Sequence, residues 1–169
     1  MSSSEATLST RGVRRASLDG VELAAWGGFL RSHAGITRRL NADLLAEHGL
    51  TLNDYEVLLH LAHAPESRLR RVDLVERLVL TPSGITRLLE GLDRAGYVAK
   101  ATCASDARVT YAVLTESGHD KLRAAAVTHV AGVRARFLER FSDEELETLA
   151  GLLDRLPKTD GDETECTPA

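Results

Sequence analysis

Between Thr81 and Arg87 the sequence Thr-Pro-Ser-Gly-Ile-Thr-Arg gathers short hydroxyls, one glycine and one long cation. Ser83 and Thr86 can donate and accept hydrogen bonds, and Arg87 carries a fork of donors suited to phosphates and guanine edges. Gly84 admits a close approach. Thr81 reads as an N-cap and Pro82 as a first-turn residue, so a helix opens here, and its N–H groups and dipole favour anions. Arg70 and Arg71 precede this segment and Arg108 follows it, each a candidate for a phosphate contact. This is chemistry for holding a polyanion. Covalent chemistry finds less support: Ser83 has no positioned base, and no glycine-rich phosphate loop is present. His60 and His63 stand three apart on a helix, but no Cys or Glu converges on them, so no metal is expected. The chain is read as no enzyme and as needing no cofactor.

Three further groups carry an alternative to simple packing. Trp26, Phe29 and His33 recur at helical spacing, which suits a core or dimer contact, or a surface on which a flat aromatic molecule stacks. Tyr55, on the next helix, could add a hydrogen bond to such a molecule. Cys103 adjoins a polar turn near Lys100 and Arg108, which is the one setting here that could favour a thiolate. With no second cysteine nearby, it reads equally as an inert small residue. His119 and His129 are read as surface or interface residues.

The elements that must position these side chains follow from periodicity and caps. A first long helix runs from near Leu18 or Val21 to His48, with Leu23, Trp26, Leu30, Leu40 and Leu44 on its apolar face. Gly49 ends it as a left-handed cap. Thr51 with Asp54 opens a second helix, which stops by Pro65. A third, short one covers about Arg71 to Leu78, with no Ser, Thr or Asp to cap it. The fourth starts at Thr81-Pro82, buries Ile85, Leu88, Leu89 and Leu92, and closes at Gly96. Residues 97–100 and 109–114 have strand composition around a polar turn and predict a two-stranded hairpin. Thr115 caps a long helix to about Phe141. Ser142 caps a last one bearing Leu146, Leu149, Leu152, Leu153 and Leu156, which Pro157 ends.

Composition fits this picture. With 43% apolar and 27% charged residues the chain suits a globular fold. No apolar run approaches the roughly 18 residues that cross a bilayer. No secretory signal opens the chain, so a cytoplasmic protein without membrane contact is expected. The net charge of −4 is unevenly spread: from Arg68 to Arg108 eight basic residues stand against five acidic, and from Glu139 onward three stand against ten. A basic middle in an acidic chain suits a protein that turns one face to phosphates.

Two short helices followed by a hairpin make a winged helix-turn-helix, whose second helix fits a major groove. The segment from Thr81 to Tyr97, with Asp106-Ala107-Arg108 followed by Val113-Leu114-Thr115, resembles the MarR (multiple antibiotic resistance regulator) family, over about residues 22–156. The resemblance implies a mainly α fold with a small β-hairpin, a winged helix-turn-helix flanked by N- and C-terminal dimerisation helices. It implies an N-terminal dimerisation helix (19–48), a DNA-binding lobe (49–115) and C-terminal dimerisation helices (116–157), while composition marks a flexible arm (1–18) and an acidic disordered tail (158–169). Arg108, braced by Asp106, would serve the wing. Ala107 stands where the family often has a second basic residue. The implied function is a homodimeric regulator on double-stranded DNA at a pseudo-palindromic promoter site. Relatives mostly repress and are released by small aromatic or lipophilic effectors, for which Trp26, Phe29, His33 and Tyr55 are the candidate pocket. Two alternatives stay open: an oxidation sensor working through Cys103, and a winged-helix module that binds protein.

Overall fold

The computed structural model describes residues 17–78, 80–102 and 110–157. Helix α1 spans Gly20–His48. It opens on a reciprocal cap absent from the sequence reading. Asp19 Oδ1 accepts from the N–H groups of Val21 and Glu22 at 2.8 and 2.9 Å, and Glu22 Oε2 accepts from Asp19 N–H at 2.9 Å. Gly49, at φ +66°, ends it as expected. Helix α2 (Leu52–His63) starts at the expected Thr51–Asp54 capping box. Asn41 Oδ1 on α1 also accepts from Leu52 N–H at 2.9 Å, which ties the two helices at this corner.

A 3-10 turn, Pro65–Ser67, carries two non-glycine residues in the left-handed region, Glu66 at φ 55° and Ser67 at φ 50°. Such backbone costs about 1–2 kcal/mol per residue. Both residues have side-chain partners there: Glu66 pairs with Arg68 at 2.9 Å, and Ser67 Oγ lies 3.3 Å from His119 Nε2. The turn delivers the chain to a strand that the sequence reading lacks, β1 (Arg68–Arg70). It is too short for an alternation to register, and only its middle residue, Leu69, is buried. Helices α3 (Arg71–Arg77) and α4 (Pro82–Arg94) follow. Next come β2 (Val98–Thr102) and β3 (Thr110–Leu114). The expected hairpin is thus part of a three-stranded antiparallel sheet in the order β1-β3-β2, with Leu69 opposite Ala112 and Val98 opposite Leu114.

Helix α5 (Glu116–Arg136) ends earlier than the expected Phe141. Phe137 leaves helical geometry at φ −126°, and a 3-10 turn, Leu138–Arg140, leads to α6 (Asp143–Leu153). The rings of Phe137 and Phe141 meet edge to face across that turn at 5.5 Å. Ser142 and Glu145 form a capping box at the start of α6.

The chain divides into two units, residues 1–35 and 36–169. The core lies in the second. Leu44, Val57, Leu58, Leu61, Leu74 and Ile85 are its fully buried large side chains. The last part of α1 packs on α5 there, where Arg136 and Asp43 pair at 2.6 Å and Thr128 Oγ1 sits 2.8 Å from His48 Nε2. No helix among the described residues is long and apolar enough to cross a membrane.

Candidate nucleic-acid interface

Helix α4 is positioned by its apolar stripe. Ile85, Leu89 and Leu92 are buried against α2, α3 and the sheet, and Leu88 is half-buried, so the opposite face turns outward. At its start Thr81 Oγ1 accepts from Gly84 N–H at 3.1 Å. A Cβ on residue 84 would lie 3.3 Å from that hydroxyl, so the glycine keeps the cap tight as well as leaving the surface open. Ser83 is exposed, with Oγ 3.2 Å from Thr81 Oγ1. Thr86 donates to Pro82 O at 2.9 Å and accepts from Arg71 Nη1 at 3.4 Å. Arg87 is exposed, and among the described residues no hydrogen bond or ion pair holds its guanidinium. The four α4 residues read from the sequence therefore share one surface, with Arg71 reaching it from α3.

The two arginines ahead of α4 differ. Arg70 is locked onto Asp73: Nε donates to Oδ2 at 2.9 Å and Nη2 to Oδ1 at 2.6 Å. That hydrogen bond, and then the charge of Asp73, raise its pKa above the ordinary guanidinium value. Asp73 also accepts from Arg70 N–H at 3.3 Å. This carboxylate supplies the start of α3 that seemed to lack a cap; an acid three residues into a helix without Ser or Thr ahead of it was the available signal. Among the described residues Arg71 has no such carboxylate partner, and its Nη1 donates to Thr86.

Periodicity and caps give no sign of what flanks this surface. A cleft of about 440 Å³ opens between α3, α4 and the sheet, with Leu89 and Val98 inside and Arg71, Thr86, Lys100 and Tyr111 around it. Arg68 lies over the Tyr111 ring at 5.1 Å, and Lys100 pairs with Asp93 at 3.5 Å. Both cations have partners in this lobe while their side chains stay exposed. Asp106, Arg108 and Cys103, assigned to the wing and to thiol chemistry, lie outside the described residues.

The aromatic candidates are also placed. Trp26, Phe29 and His33 stack in sequence, with ring centroids 6.1 and 6.2 Å apart, and Trp26 and Phe29 are exposed. Tyr55 is buried and stacks on His129 at 4.5 Å. Burial lowers the His129 pKa, and its Nδ1 is buried with no hydrogen-bond partner. Among the described residues no group of three or more His, Cys, Asp or Glu side chains could hold a metal ion.

Comparison with known proteins bears on this arrangement. A family model described as the MarR family matches residues 48–109. The HTH-type transcriptional repressor YetL of Bacillus subtilis is 32% identical over 121 residues, spanning 70% of this chain and 72% of that protein. Among solved structures, AbsC, a MarR family transcriptional regulator from Streptomyces coelicolor, is similar at 34% identity and a TM-score of 0.75, covering 81% of this chain and 92% of its own. Sco3205, a MarR family regulator from the same organism solved in complex with DNA, is similar at 28% identity and a TM-score of 0.77, over 82% of this chain and 86% of that one.

Proposed function

Because the chain belongs to the MarR family of transcriptional regulators, we propose that it binds double-stranded DNA as a homodimer, at a pseudo-palindromic promoter site, and represses transcription there. The observation that carries this reading is the outward face of α4, where Ser83, Gly84, Thr86 and Arg87 stand together at a helix N-terminus with Arg71 beside them. An α-helix fits the major groove, its first turns meet base edges, and its dipole favours the phosphate backbone. Ser83, Thr86 and Arg87 read bases, and Arg71 grips a phosphate. Arg70 braces α3 through Asp73, and Arg108 serves the wing. The DNA complex of Sco3205 and the repressor name of YetL are the two comparisons that support this assignment.

The dimer reading rests on apolar surface. Helix α6 buries none of its residues, and Leu152, Leu153 and Leu156 are exposed, as are Val127 and Val130 on α5. In the first unit, Val21, Leu23, Trp26, Phe29 and Leu30 are exposed on α1. Apolar side chains in such number suit burial against a second copy. Release follows when a small aromatic or lipophilic effector binds the dimer and shifts it to a state in which its two α4 helices no longer match adjacent grooves. The stacked Trp26, Phe29 and His33 are the contact surface for such a ligand, and Tyr55 is a second candidate. The reading includes a cytoplasmic location, where such a DNA target would be met.

The test is a fluorescence-anisotropy titration against the DNA upstream of the protein's own gene, with random duplex as competitor and salt varied. Sequence-selective binding in the nanomolar range with a steep salt dependence is expected. Equal binding to random DNA at every salt concentration would overturn the reading of an operator in the protein's own promoter. The complex then serves to screen aromatic compounds for release.

A further inference from the structure

The end of α4 and the start of α5 meet at a joint made of backbone carbonyls and one hydroxyl. Gly96, at φ +77°, turns the chain out of α4, and Tyr97 N–H donates to Leu92 O at 3.0 Å. The carbonyls of Gly96 and Tyr97 are both taken by Thr115. Its hydroxyl donates to Gly96 O at 2.7 Å, and its N–H donates to Tyr97 O at 3.1 Å. The same hydroxyl accepts from Gly118 N–H at 3.0 Å, which caps α5. Gly118 lies so close beneath the turn that a Cβ there would run into the Tyr97 carbonyl oxygen and Leu114 Cδ1.

Capping alone does not require this residue. Asp, Asn and Ser cap a helix as well as Thr does, since each offers an oxygen to the N–H groups of the first turn. A carboxylate only accepts, whereas a hydroxyl accepts and donates at once. Thr115 uses both capacities, one on α5 and one on the turn that ends α4. Helix α4 therefore cannot tilt away from α5 without breaking two hydrogen bonds. At its far end α5 is held to α1 by the Arg136–Asp43 pair at 2.6 Å.

We propose that Thr115 and Gly118 are positioning residues that fix the angle of α4 to α5, and so set which half-site separation the dimer accepts. The proposal rests on the reading of a DNA-binding dimer given above. Each protomer presents its α4 through this joint. Inserting one base pair between half-sites moves one of them by about 3.4 Å along the axis, and a rigid joint resists that shift.

The test uses the full-length dimer and a palindromic duplex selected by the wild type from a random pool, remade with the spacer one base pair longer and one shorter. Wild type is expected to bind both altered duplexes markedly less well. In Thr115→Asp, which keeps a cap and loses the donor, that spacing penalty falls by roughly threefold to tenfold, the worth of one hydrogen bond. The salt slope on the native duplex stays unchanged, because no phosphate contact is lost. Thr115→Ser, which keeps the hydroxyl, behaves as wild type. A full penalty in Thr115→Asp, or a loss of it in Thr115→Ser, overturns the proposal. Should Thr115→Asp not fold, amide exchange in the wild type decides: operator binding is expected to slow exchange of the Thr115 N–H, and unchanged exchange overturns the joint. If wild type binds no duplex at all, the DNA reading falls and the proposal with it; the other outcomes strike the joint alone.

Discussion

Arg87 and Arg70 are one residue type within one helix-turn-helix, and their surroundings give them different work. The Arg70 guanidinium is engaged at both edges by Asp73, while Arg87 is exposed on the outer face of α4. Arg87→Ala is expected to weaken operator binding, flatten the preference over random DNA and lower the salt slope by about one. Arg70→Ala should leave the salt slope as it is. Its effect on thermal melting should be smaller than that of Asp73→Ala, which also removes the cap on the Arg70 N–H, and the double variant should cost no more than Asp73→Ala alone. A drop in salt slope for Arg70→Ala would show that it contacts phosphate after all. His129 gives a pH-dependent prediction at the same scale. Burial depresses its folded pKa below the ordinary 6.5, so the unfolded chain takes up the proton first. The free energy of unfolding should therefore fall as pH drops from above 6.5 toward the lower folded value, and level off beneath it. His129→Phe, which keeps a ring against Tyr55, should show less of this acid-side loss in urea titrations across that window. An identical pH profile in the variant would mean that His129 is not the group responsible.

Glycines at the scale of helices separate backbone propensity from packing. Gly91, inside α4, has nothing within 4 Å of the place a Cβ would occupy. Gly91→Ala should raise stability by up to about 1 kcal/mol through reduced unfolded-state freedom. Gly132 on α5 faces Leu40 of α1, whose Cδ2 would stand 2.7 Å from a new Cβ. Overpacking typically costs about 1–3 kcal/mol, so Gly132→Ala should be neutral or destabilising in urea denaturation. A stabilisation equal to that of Gly91→Ala would show that α1 and α5 separate freely. These helices were legible before the fold was known, because caps and periodic stripes are local: Thr51 with Asp54, Thr81 with Pro82, and Ser142 all open the helices they signal. What the local code does not carry was missed. Strand β1 is created by its partner β3, and its Arg-Leu-Arg composition has no preference of its own. The start of α3 falls at Arg71 as read, but its cap hid because it comes from a carboxylate inside the helix, clasped by an arginine. The residues of the α4 face were readable from an amphipathic stripe, whereas the Arg70–Asp73 clasp and the Thr115 joint are long side-chain or tertiary choices that spacing does not announce. The aromatic set divides likewise, since Trp26, Phe29 and His33 stack along one helix as spacing implies, and Tyr55 takes its ring partner from α5.

For the molecule as a whole, exposed apolar surface is what supports the proposed dimer. Helix α6 has no buried residue, with Leu152 52% and Leu153 39% exposed, so its side chains contribute little to the core of a single copy. Burial of apolar area is worth about 25 cal/mol per Å², and a stable interface needs roughly 800 Å² from each partner. A helix that leaves its leucines in water gains most by meeting a second chain. The substitutions Leu152→Asp and Leu153→Asp together should therefore spare the fold of one copy and break the assembly. Sedimentation velocity is expected to show a dimer for wild type and a monomer for the double variant, with the helical circular-dichroism signal largely kept. Each monomer still presents α4, so binding to a single half-site should persist. Affinity for the palindrome should fall by about 10²- to 10⁴-fold, because the second half-site is no longer held at high effective concentration. A variant that stays dimeric and binds the palindrome as wild type does would exclude α6 from the interface. A monomeric variant with undiminished palindrome affinity would mean that one copy is enough to read the site.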